Sequence, residues 1–170
     1  MPEGRLTFVL GGARSGKSRH AEALVSKLAP PWTYIATAQA YDDEMRERIA
    51  HHRARRDGRW ITLDAPLDLA GALAAVGDGL PVLIDCLTLW LSNRMLAEHD
   101  VEAASAELVA ALRSRRGPIF VVSNEVGLSI VPDNALARRF RDAQGRLNQQ
   151  MAAIADTVIF MVAGLPMKVK

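Results

Sequence analysis

Residues 11–18 read Gly-Gly-Ala-Arg-Ser-Gly-Lys-Ser, and they are the strongest indication of the fold class. Its spacing of glycine, four residues, glycine, lysine and serine is the phosphate-binding P-loop pattern. An apolar run at 6–10 precedes it and a helical pattern starts near Lys17, as a strand–loop–helix arrangement requires. Glycines let main-chain N–H groups approach an anion, and the helix N-terminus adds partial positive charge. We expect a nucleoside triphosphate to be bound by Gly11, Gly12, Ala13, Arg14, Ser15, Gly16, Lys17 and Ser18.

Two polar residues of this loop and one acid elsewhere are candidates for catalysis and metal binding. Lys17 is expected to reach the β- and γ-phosphates, and the Ser18 hydroxyl is a candidate ligand for Mg²⁺. Asp85 lies in the apolar run 81–86, at the position where P-loop proteins place an acid near the metal. Few protein ligands would leave room for water and phosphate oxygens around the ion. The simpler alternatives are a glycine-rich turn without a ligand and an aspartate that caps the next helix.

Length and composition restrict the class of protein. The chain has 170 residues, 49% of them hydrophobic, which suits one domain over 1–170 with a substantial core. The net charge of +2 does not favour nucleic-acid binding. Cys86 is the single cysteine, so no internal disulfide forms, and we expect it to be a small core residue. Without a leader-like segment or an apolar run of about 18 residues, a soluble cytoplasmic protein with no membrane span is expected.

Apolar strand-like runs alternate with helical patterns along the chain. Strands are predicted at 5–10, 33–37, 59–63, 81–86, 119–123 and 157–162. Helices are predicted at 18–29, 42–56, 67–76, 87–96, 101–116 and 135–155, with a polar loop at 124–134 and a short tail at 167–170. The alternation predicts an α/β fold of the P-loop NTPase type, with a mainly parallel central sheet and helices on both faces.

Further polar residues fall at the edge of the predicted sheet where ligands bind. The carboxyl ends of parallel strands share one edge, and ligands lie beyond it. Thr37 and the segment Ser-Asn-Glu-Val-Gly at 123–127 both stand at the ends of strands. Their side chains are suited to hydrogen bonding a base or a sugar, and equally suited to capping a turn. We include Thr37 and Glu125 among the candidate nucleotide contacts.

The predicted helix at 42–56 carries two neighbouring histidines with different surroundings. His52 shares a helical stripe with the apolar Met45 and Ile49, so it is expected to be packed or half packed. His51 lies among arginines on the next stripe, where an imidazole could be a phosphate contact, a general base or a nucleophile toward phosphorus. Composition alone favours the alternative of two surface histidines on a basic, solvated helix.

Four arginines cluster on or near the start of the last predicted helix. They could contact phosphates or a partner subunit, although a solvated helix face is the better interpretation for any one of them. These residues are Arg138, Arg139, Arg141 and Arg146.

Beyond the P-loop, longer blocks of sequence resemble one enzyme family. They are GGARSGKSRHAEAL at 11–24, YIATAQAYDDEMRERIAHHRARR at 34–56, VSNEVGLSIVPDNALARRFRDAQGRLNQ at 122–149 and GLPMKVK at 164–170. Over nearly the whole chain, the sequence is similar to the bifunctional adenosylcobinamide kinase / adenosylcobinamide-phosphate guanylyltransferase family. The paired histidines after DDEM and the NEVG and FRD blocks are far more specific than the P-loop.

The resemblance implies two reactions on a cobalamin precursor. One transfers the γ-phosphoryl group of ATP or GTP to the aminopropanol hydroxyl of adenosylcobinamide. The other transfers GMP from GTP to adenosylcobinamide phosphate, giving adenosylcobinamide-GDP and pyrophosphate. The resemblance also implies a covalent GMP on His51, a role for Asp85 as the acid near Mg²⁺, and a homotrimer with sites between subunits.

Two other functions stay open from the residues themselves. A small-molecule kinase without guanylyl chemistry would need Lys17 but not His51. A GTP-dependent switch or assembly factor would bind a nucleotide and a protein partner. The guanine-recognition pattern Asn-Lys-x-Asp is absent from the sequence, which counts against the switch.

Overall fold

The computed structural model describes residues 5–170, which build a seven-stranded sheet flanked by helices. The strands are β1 (Leu6–Gly11), β2 (Trp32–Ala36), β3 (Trp60–Asp64), β4 (Val82–Asp85), β5 (Ile119–Asn124), β6 (Thr157–Val162) and β7 (Leu165–Lys168). The helices are α1 (Lys17–Val25), α2 (Asp43–Ala54), α3 (Leu69–Ala75), α4 (Leu87–Leu96), α5 (Val101–Ser114) and α6 (Ala135–Ile154). The strand order is β3-β2-β4-β5-β1-β6-β7. Every pair of neighbours is parallel except β6 with β7, so the predicted mainly parallel sheet is confirmed.

The sheet separates two hydrophobic clusters, because alternate residues of a strand point to opposite faces. Phe120 and Val122 of β5 pack with Ala21 and Val25 of α1. The intervening residues of β5 belong to the larger cluster, which is formed with α3, α4, α5 and α6. α2 contributes no buried residue to either cluster. One face of the sheet is therefore covered by α1 and the other by four helices.

Side-chain caps fix the start of the two helices that follow the candidate loops. Asp42 accepts a hydrogen bond of 2.7 Å from the N–H of Met45 at the start of α2. Asn134 accepts one of 2.7 Å from the N–H of Ala137 at the start of α6. Each cap satisfies a backbone donor that has no partner within its helix, so the local sequence sets where these helices begin.

The predicted tail at 167–170 is wrong, because these residues belong to β7 and its continuation. β7 pairs antiparallel with β6 through a tight turn at Ala163 and Gly164. Both turn residues have positive φ, 50° and 81°, which matches the twist of a two-residue hairpin. Such turns are marked in sequences by Asn-Gly or Asp-Gly, and Ala-Gly carries a weaker signal.

The first helix also ends earlier than predicted. The sequence placed its end near Ala29, before two prolines, but α1 ends at Val25. Beyond it, the N–H groups of Lys27 and Leu28 bond three residues back rather than four. The chain thus tightens into a turn before the prolines are reached. Within residues 5–170, no helix has the length and apolar character needed to cross a bilayer.

Candidate functional site

The P-loop connects the buried strand β1 to α1 and has the backbone shape that its glycines allow. Gly16 has a φ of 89°, a left-handed conformation that costs glycine little. A Cβ at Gly11 would lie 2.5 Å from Ser15 Oγ and 2.9 Å from the carbonyl oxygen of Met161. Gly11 therefore cannot be replaced without displacing backbone. Ser15 itself is buried and its hydroxyl has no hydrogen-bond partner in the described part of the chain.

Lys17 lies over the loop that it follows. Its ammonium group donates a hydrogen bond of 3.0 Å to the carbonyl oxygen of Gly12. Burial lowers the pKa of Lys17, and the nearby Cys86 and Asp85 side chains oppose this shift. The cation is thus held partly desolvated at the phosphate-binding loop, within the electrostatic reach of Asp85. Its attraction to a phosphate is stronger there than in open water.

Asp85 ends β4 and faces the same side of the sheet as α1. Leu83, two residues earlier on the strand, packs in the cluster that contains α1, so Asp85 points to that face. The hydroxyl of Tyr34 donates a hydrogen bond of 2.8 Å to Asp85 Oδ2. Burial first, and then the charge of Asp85, raises the pKa of Tyr34, so the phenol stays protonated as a donor. Sequence reasoning missed Tyr34, whose signal was only its position in the middle of a strand.

Ser18 follows Lys17 in the first turn of α1, and Asp85 lies within electrostatic reach of Lys17, so a hydroxyl and a carboxylate are both present on this side of the sheet. Hard oxygen donors of this kind are those Mg²⁺ prefers, and the ion keeps several waters or phosphate oxygens. Among residues 5–170, no group of three or more histidine, cysteine, aspartate or glutamate side chains is arranged to hold a metal alone. A metal here would therefore depend on the nucleotide for part of its coordination.

The structure gives Thr37 a different role from the predicted nucleotide contact. Thr37 is fully buried, with 0% of its surface exposed. Its hydroxyl donates to the carbonyl oxygen of Cys86 at 2.7 Å and accepts from the N–H of Cys86 at 2.9 Å. Its carbonyl oxygen accepts a hydrogen bond from Asn93. Because its polar groups are engaged inside the protein, Thr37 holds the end of β4 in place instead of facing a ligand.

Glu125 and Cys86 occupy the edge of the site in different ways. The N–H of Glu125 donates to the carbonyl oxygen of Gly11 at 3.0 Å, so Glu125 borders the P-loop. Its carboxylate accepts a hydrogen bond of 2.6 Å from the N–H of Gly127 and thereby shapes its own turn.

Cys86 is buried, and burial raises the pKa of its thiol to about 11, which confirms the predicted core residue.

The two histidines of α2 differ in exposure, as their helical stripes predicted. His52 is half-buried, as are Met45 and Ile49, whereas His51 is exposed. One turn beyond His51, Arg55 forms an ion pair of 3.3 Å with Glu22 of α1. The stripe that carries His51 is thus linked to the helix that begins at Lys17. This link does not bring His51 into contact with the P-loop in the described structure.

The arginine cluster on α6 lies away from the P-loop contacts. Arg138 donates hydrogen bonds to the carbonyl oxygens of Pro132 and Asp133. Arg141 and Arg146 are partnered by acids. Arg139 and Arg146 line an open cleft of about 420 Å³ between α4, α5 and α6. These contacts fit the expected solvated face, with some of the charges satisfied by neighbours.

Sequence reasoning gave little weight to a buried polar cluster behind β5. Ser123, Gln144 and Asn148 are all buried and hydrogen-bonded to one another. The available signal was the recurrence of Gln144 and Asn148 one turn apart on an otherwise apolar stripe of α6. Gln144 Oε1 alone in this cluster is buried without a partner among the described residues, and the remaining hydrogen bonds join α6 to the end of β5.

Fold and site together define the class of protein, a P-loop nucleotide-binding protein. Among solved structures, a KaiC-like protein from Pyrococcus horikoshii OT3 matches with a TM-score of 0.52 at 14% identity, over 94% of this chain and 73% of its own. An ATPase from a bacterial type III secretion system matches with a TM-score of 0.53 at 14% identity, over 92% of this chain and 52% of its own. At such identities the likeness concerns the fold alone.

The sequence matches a particular family within that class. Residues 7–169 match the family described as cobinamide kinase / cobinamide phosphate guanyltransferase, and the chain belongs to it. The bifunctional adenosylcobalamin biosynthesis protein CobP of Pseudomonas aeruginosa is 48% identical over 166 residues, 96% of each chain. The bifunctional adenosylcobalamin biosynthesis protein CobU of Salmonella typhimurium is 42% identical over 181 residues, covering 97% of this chain and 99% of its own. The family indicated by the sequence blocks is thereby confirmed.

Proposed function

We propose that this protein is a cytoplasmic enzyme of adenosylcobalamin biosynthesis that catalyses two transfers from nucleotides. The first moves the γ-phosphoryl group of ATP or GTP to the hydroxyl of adenosylcobinamide. The second moves GMP from GTP to adenosylcobinamide phosphate and releases pyrophosphate. Membership of the family supports this pair of reactions. The observation that carries the proposal is the placement of Lys17 and Asp85 together at the P-loop, with His51 exposed on a nearby helix.

For the phosphoryl transfer, the chain supplies positioning and charge. The N–H groups of the P-loop and the ammonium of Lys17 hold the triphosphate and spread the charge of the transition state. The bond from the γ-phosphorus to its bridging oxygen breaks, a bond to the acceptor oxygen forms, and the hydroxyl proton is released. Ser18 and Asp85 would hold Mg²⁺, and the ion would supply positive charge to the phosphate oxygens. Tyr34 orients Asp85 through its hydrogen bond.

For the guanylyl transfer, the proposed nucleophile is the imidazole of His51. A ring nitrogen in its neutral form attacks the α-phosphorus of GTP, a P–N bond forms, and the α–β phosphate bond breaks to release pyrophosphate. The phosphate of adenosylcobinamide phosphate then attacks the same phosphorus and frees the imidazole. Dividing one difficult substitution into two is the ordinary advantage of covalent catalysis. His51 is exposed, so it is accessible to this chemistry.

The loose packing of α2 supports an approach of His51 to the nucleotide. α2 has no buried residue. On its half-buried side, His52 Nδ1 and Arg56 Nε are shielded from water without a hydrogen-bond partner in the described structure. A donor without a partner, such as Arg56 Nε, can pair with a phosphate oxygen once a nucleotide is bound. We expect nucleotide binding to shift α2 toward the P-loop.

Association into a homotrimer is part of the same proposal. Leu128 and Ile130, in the loop that follows β5, are 82% and 92% exposed. Adjacent exposed apolar side chains beside a site are typical of protein interfaces, which supports an oligomer. Light scattering of the purified protein gives its mass directly, and a monomer at working concentrations would exclude this part of the proposal.

Labelling with GTP tests the central step. Incubation with GTP labelled at the α-phosphate is expected to leave an acid-labile label on the wild type and on His52→Ala, but none on His51→Ala. Mass spectrometry locates the added GMP. Lys17→Ala is expected to lose both the label and the phosphorylation of adenosylcobinamide. Phosphorylation without any label would leave the protein a kinase only, and nucleotide binding without turnover on adenosylcobinamide would favour the switch.

A further inference from the structure

Asn124 is the last residue of β5 and stands between the two halves of the phosphate site. β5 lies between β1, which leads into the P-loop, and β4, which ends at Asp85. Asn124 pairs in register with Gly11, the first residue of the loop. Its side chain falls on the same face as Phe120 and Val122, which pack against α1. Asn124 therefore faces the side of the sheet where Lys17 and Asp85 meet.

Side chains from two helices clamp the backbone of Asn124. β4 ends too early to pair with this residue, since its last partner on β5 is Val122. The hydroxyl of Thr88 on α4 accepts the Asn124 N–H at 2.8 Å in its place. On α6, Asn148 Nδ2 donates to the Asn124 carbonyl oxygen at 3.1 Å. Both backbone polar groups of Asn124 are thus fixed by side chains.

A buried network holds the clamp itself. Ser123 Oγ donates to Asn148 Oδ1 at 2.8 Å, and Gln144 Nε2 donates to both Ser123 Oγ and Asn148 Oδ1 at 2.9 Å. Ser123 and Gln144 are each 0% exposed. Polar side chains in a core are costly unless they are paired, and a paired network fixes one geometry. This network therefore fixes the orientation of the strand end that carries Asn124.

The side-chain amide of Asn124 is left available by this arrangement. It is half-buried, and in the described part of the chain it has no hydrogen-bond partner. A rigid backbone with a free amide at a phosphate-binding loop is a preorganised hydrogen-bond donor. In a P-loop, the γ-phosphate is the group that lies toward the metal-binding acid. β5 is the strand between that acid and the loop, so its last side chain lies on the side of the loop where the γ-phosphate is expected.

We propose that the side-chain amide of Asn124 donates a hydrogen bond to the γ-phosphate of the bound triphosphate. The assignment rests on the proposed function, and it makes Asn124 a residue that contributes, beside Lys17, to distinguishing a triphosphate from a diphosphate. Asn124 forms no covalent bond and moves no proton. Its N–H group stabilises the negative oxygens of the phosphoryl group while that group is transferred.

Nucleotide titration of variants tests the assignment. The probes are ADP and a triphosphate with an imido bridge between the β- and γ-phosphates, each with Mg²⁺. Asn124→Ala is expected to lower the affinity for the triphosphate about tenfold and to change the affinity for ADP by less than about twofold. Asn124→Asp keeps the shape of the side chain, and it is expected to lower the affinity for the triphosphate further because the carboxylate repels the phosphate. Gln149→Ala, which removes an exposed amide from α6, is the matched control and is expected to match the wild type.

The outcomes separate this assignment from the proposed function. If the wild type binds both nucleotides and both Asn124 variants keep its ratio of triphosphate to diphosphate affinity, the assignment of Asn124 is wrong. If the wild type binds neither nucleotide, the P-loop function itself fails. In the phosphorylation assay, the Asn124 variants are expected to lose kcat more than they raise KM. Since the nearly isosteric aspartate preserves packing, at least one variant stays folded for the comparison.

Discussion

Single residues of this chain combine a structural and a chemical task. Lys17 binds the carbonyl oxygen of its own loop while it is held near Asp85, and Asp85 is held in turn by Tyr34. Each charged group is thus positioned before any ligand arrives. Such preorganisation lowers the cost of binding a triphosphate, because fewer side chains have to be ordered at that moment.

Asp156 lies outside the site, and its carboxylate has a structural task that gives a prediction for stability. Its carboxylate accepts the N–H groups of Arg5 and Leu6, each at 2.8 Å, where β1 begins. The hydrogen bond from Leu6 lowers the pKa of Asp156 in the folded state. A lowered folded pKa means that this stabilisation is present above the ordinary aspartate pKa of about 4 and is lost as pH falls through the lower folded value.

We therefore expect Asp156→Asn to reduce the free energy of unfolding by about 1 kcal/mol at pH 7. The difference from the wild type should begin to shrink below about pH 4, where the unfolded carboxyl takes up a proton, and should vanish below the lower folded pKa. Urea unfolding of the wild type and the variant at several pH values measures this difference in the free energy of unfolding. Asp133→Asn, on an exposed loop, serves as the control and should match the wild type throughout. A difference that does not depend on pH would show that charge is not the cause.

At the scale of helices and strands, buried side chains replace missing backbone partners. Thr88 takes the place of a β4 residue for Asn124, and Thr37 braces the end of β4. Arg115 does the same where α3 ends. It is 7% exposed and donates hydrogen bonds to four carbonyl oxygens, those of Leu73, Val76, Gly77 and Leu80. α3 and the turn after it therefore depend on a residue at the end of α5.

Replacing that arginine should be costly. Arg115→Met removes the guanidinium donor from all four carbonyl oxygens, and among the described residues only those of Leu73 and Gly77 keep a backbone N–H. We expect the free energy of unfolding to fall by about 3 kcal/mol. Arg116→Met, at the exposed neighbouring position, should change it by less than about 0.5 kcal/mol. Chemical denaturation of both variants makes the comparison. Equal effects from the two substitutions would mean that the hydrogen bonds of Arg115 contribute little.

At the scale of the whole molecule, the end of the chain supports its beginning. The hairpin of β6 and β7 places Gly164 beside the P-loop, where its N–H donates to the carbonyl oxygen of Ser15 at 3.0 Å. A Cβ at Gly16 would lie 3.4 Å from the Cα of Gly164, so the two backbones are in close contact. The shape of the phosphate loop therefore depends on residues about 150 positions away in sequence.

Removing this support should weaken nucleotide binding more than folding. A variant that ends at Val162 is expected to stay folded, because the residues of β7 are exposed. Its affinity for ATP should fall about fivefold with the loss of the hydrogen bond to Ser15. A variant that ends at Lys168 keeps β7 and is the control. Circular dichroism and ATP titration give the two readouts, and unchanged affinity in the shorter variant would contradict the prediction.

Local patterns in the sequence were sufficient for much of this protein. The P-loop spacing, the alternation of strands and helices, and the two stripes of α2 all depend on residues near one another in the chain. Backbone geometry and side-chain periodicity act over such short distances, so these features could be predicted. The separation of an exposed His51 from a half-buried His52 is an example.

Contacts between distant segments of the folded chain determine which polar groups are free and which are engaged. Thr37 looked available at the end of its strand, yet the distant Cys86 and Asn93 occupy its polar groups. The side chain of Asn124 has no hydrogen-bond partner among residues 5–170, while α4 and α6 hold its backbone. Local patterns were enough to predict the fold class and the phosphate loop. Hydrogen bonds between distant segments leave no periodic trace in a sequence, so the arrangement around the loop became visible only in the folded chain.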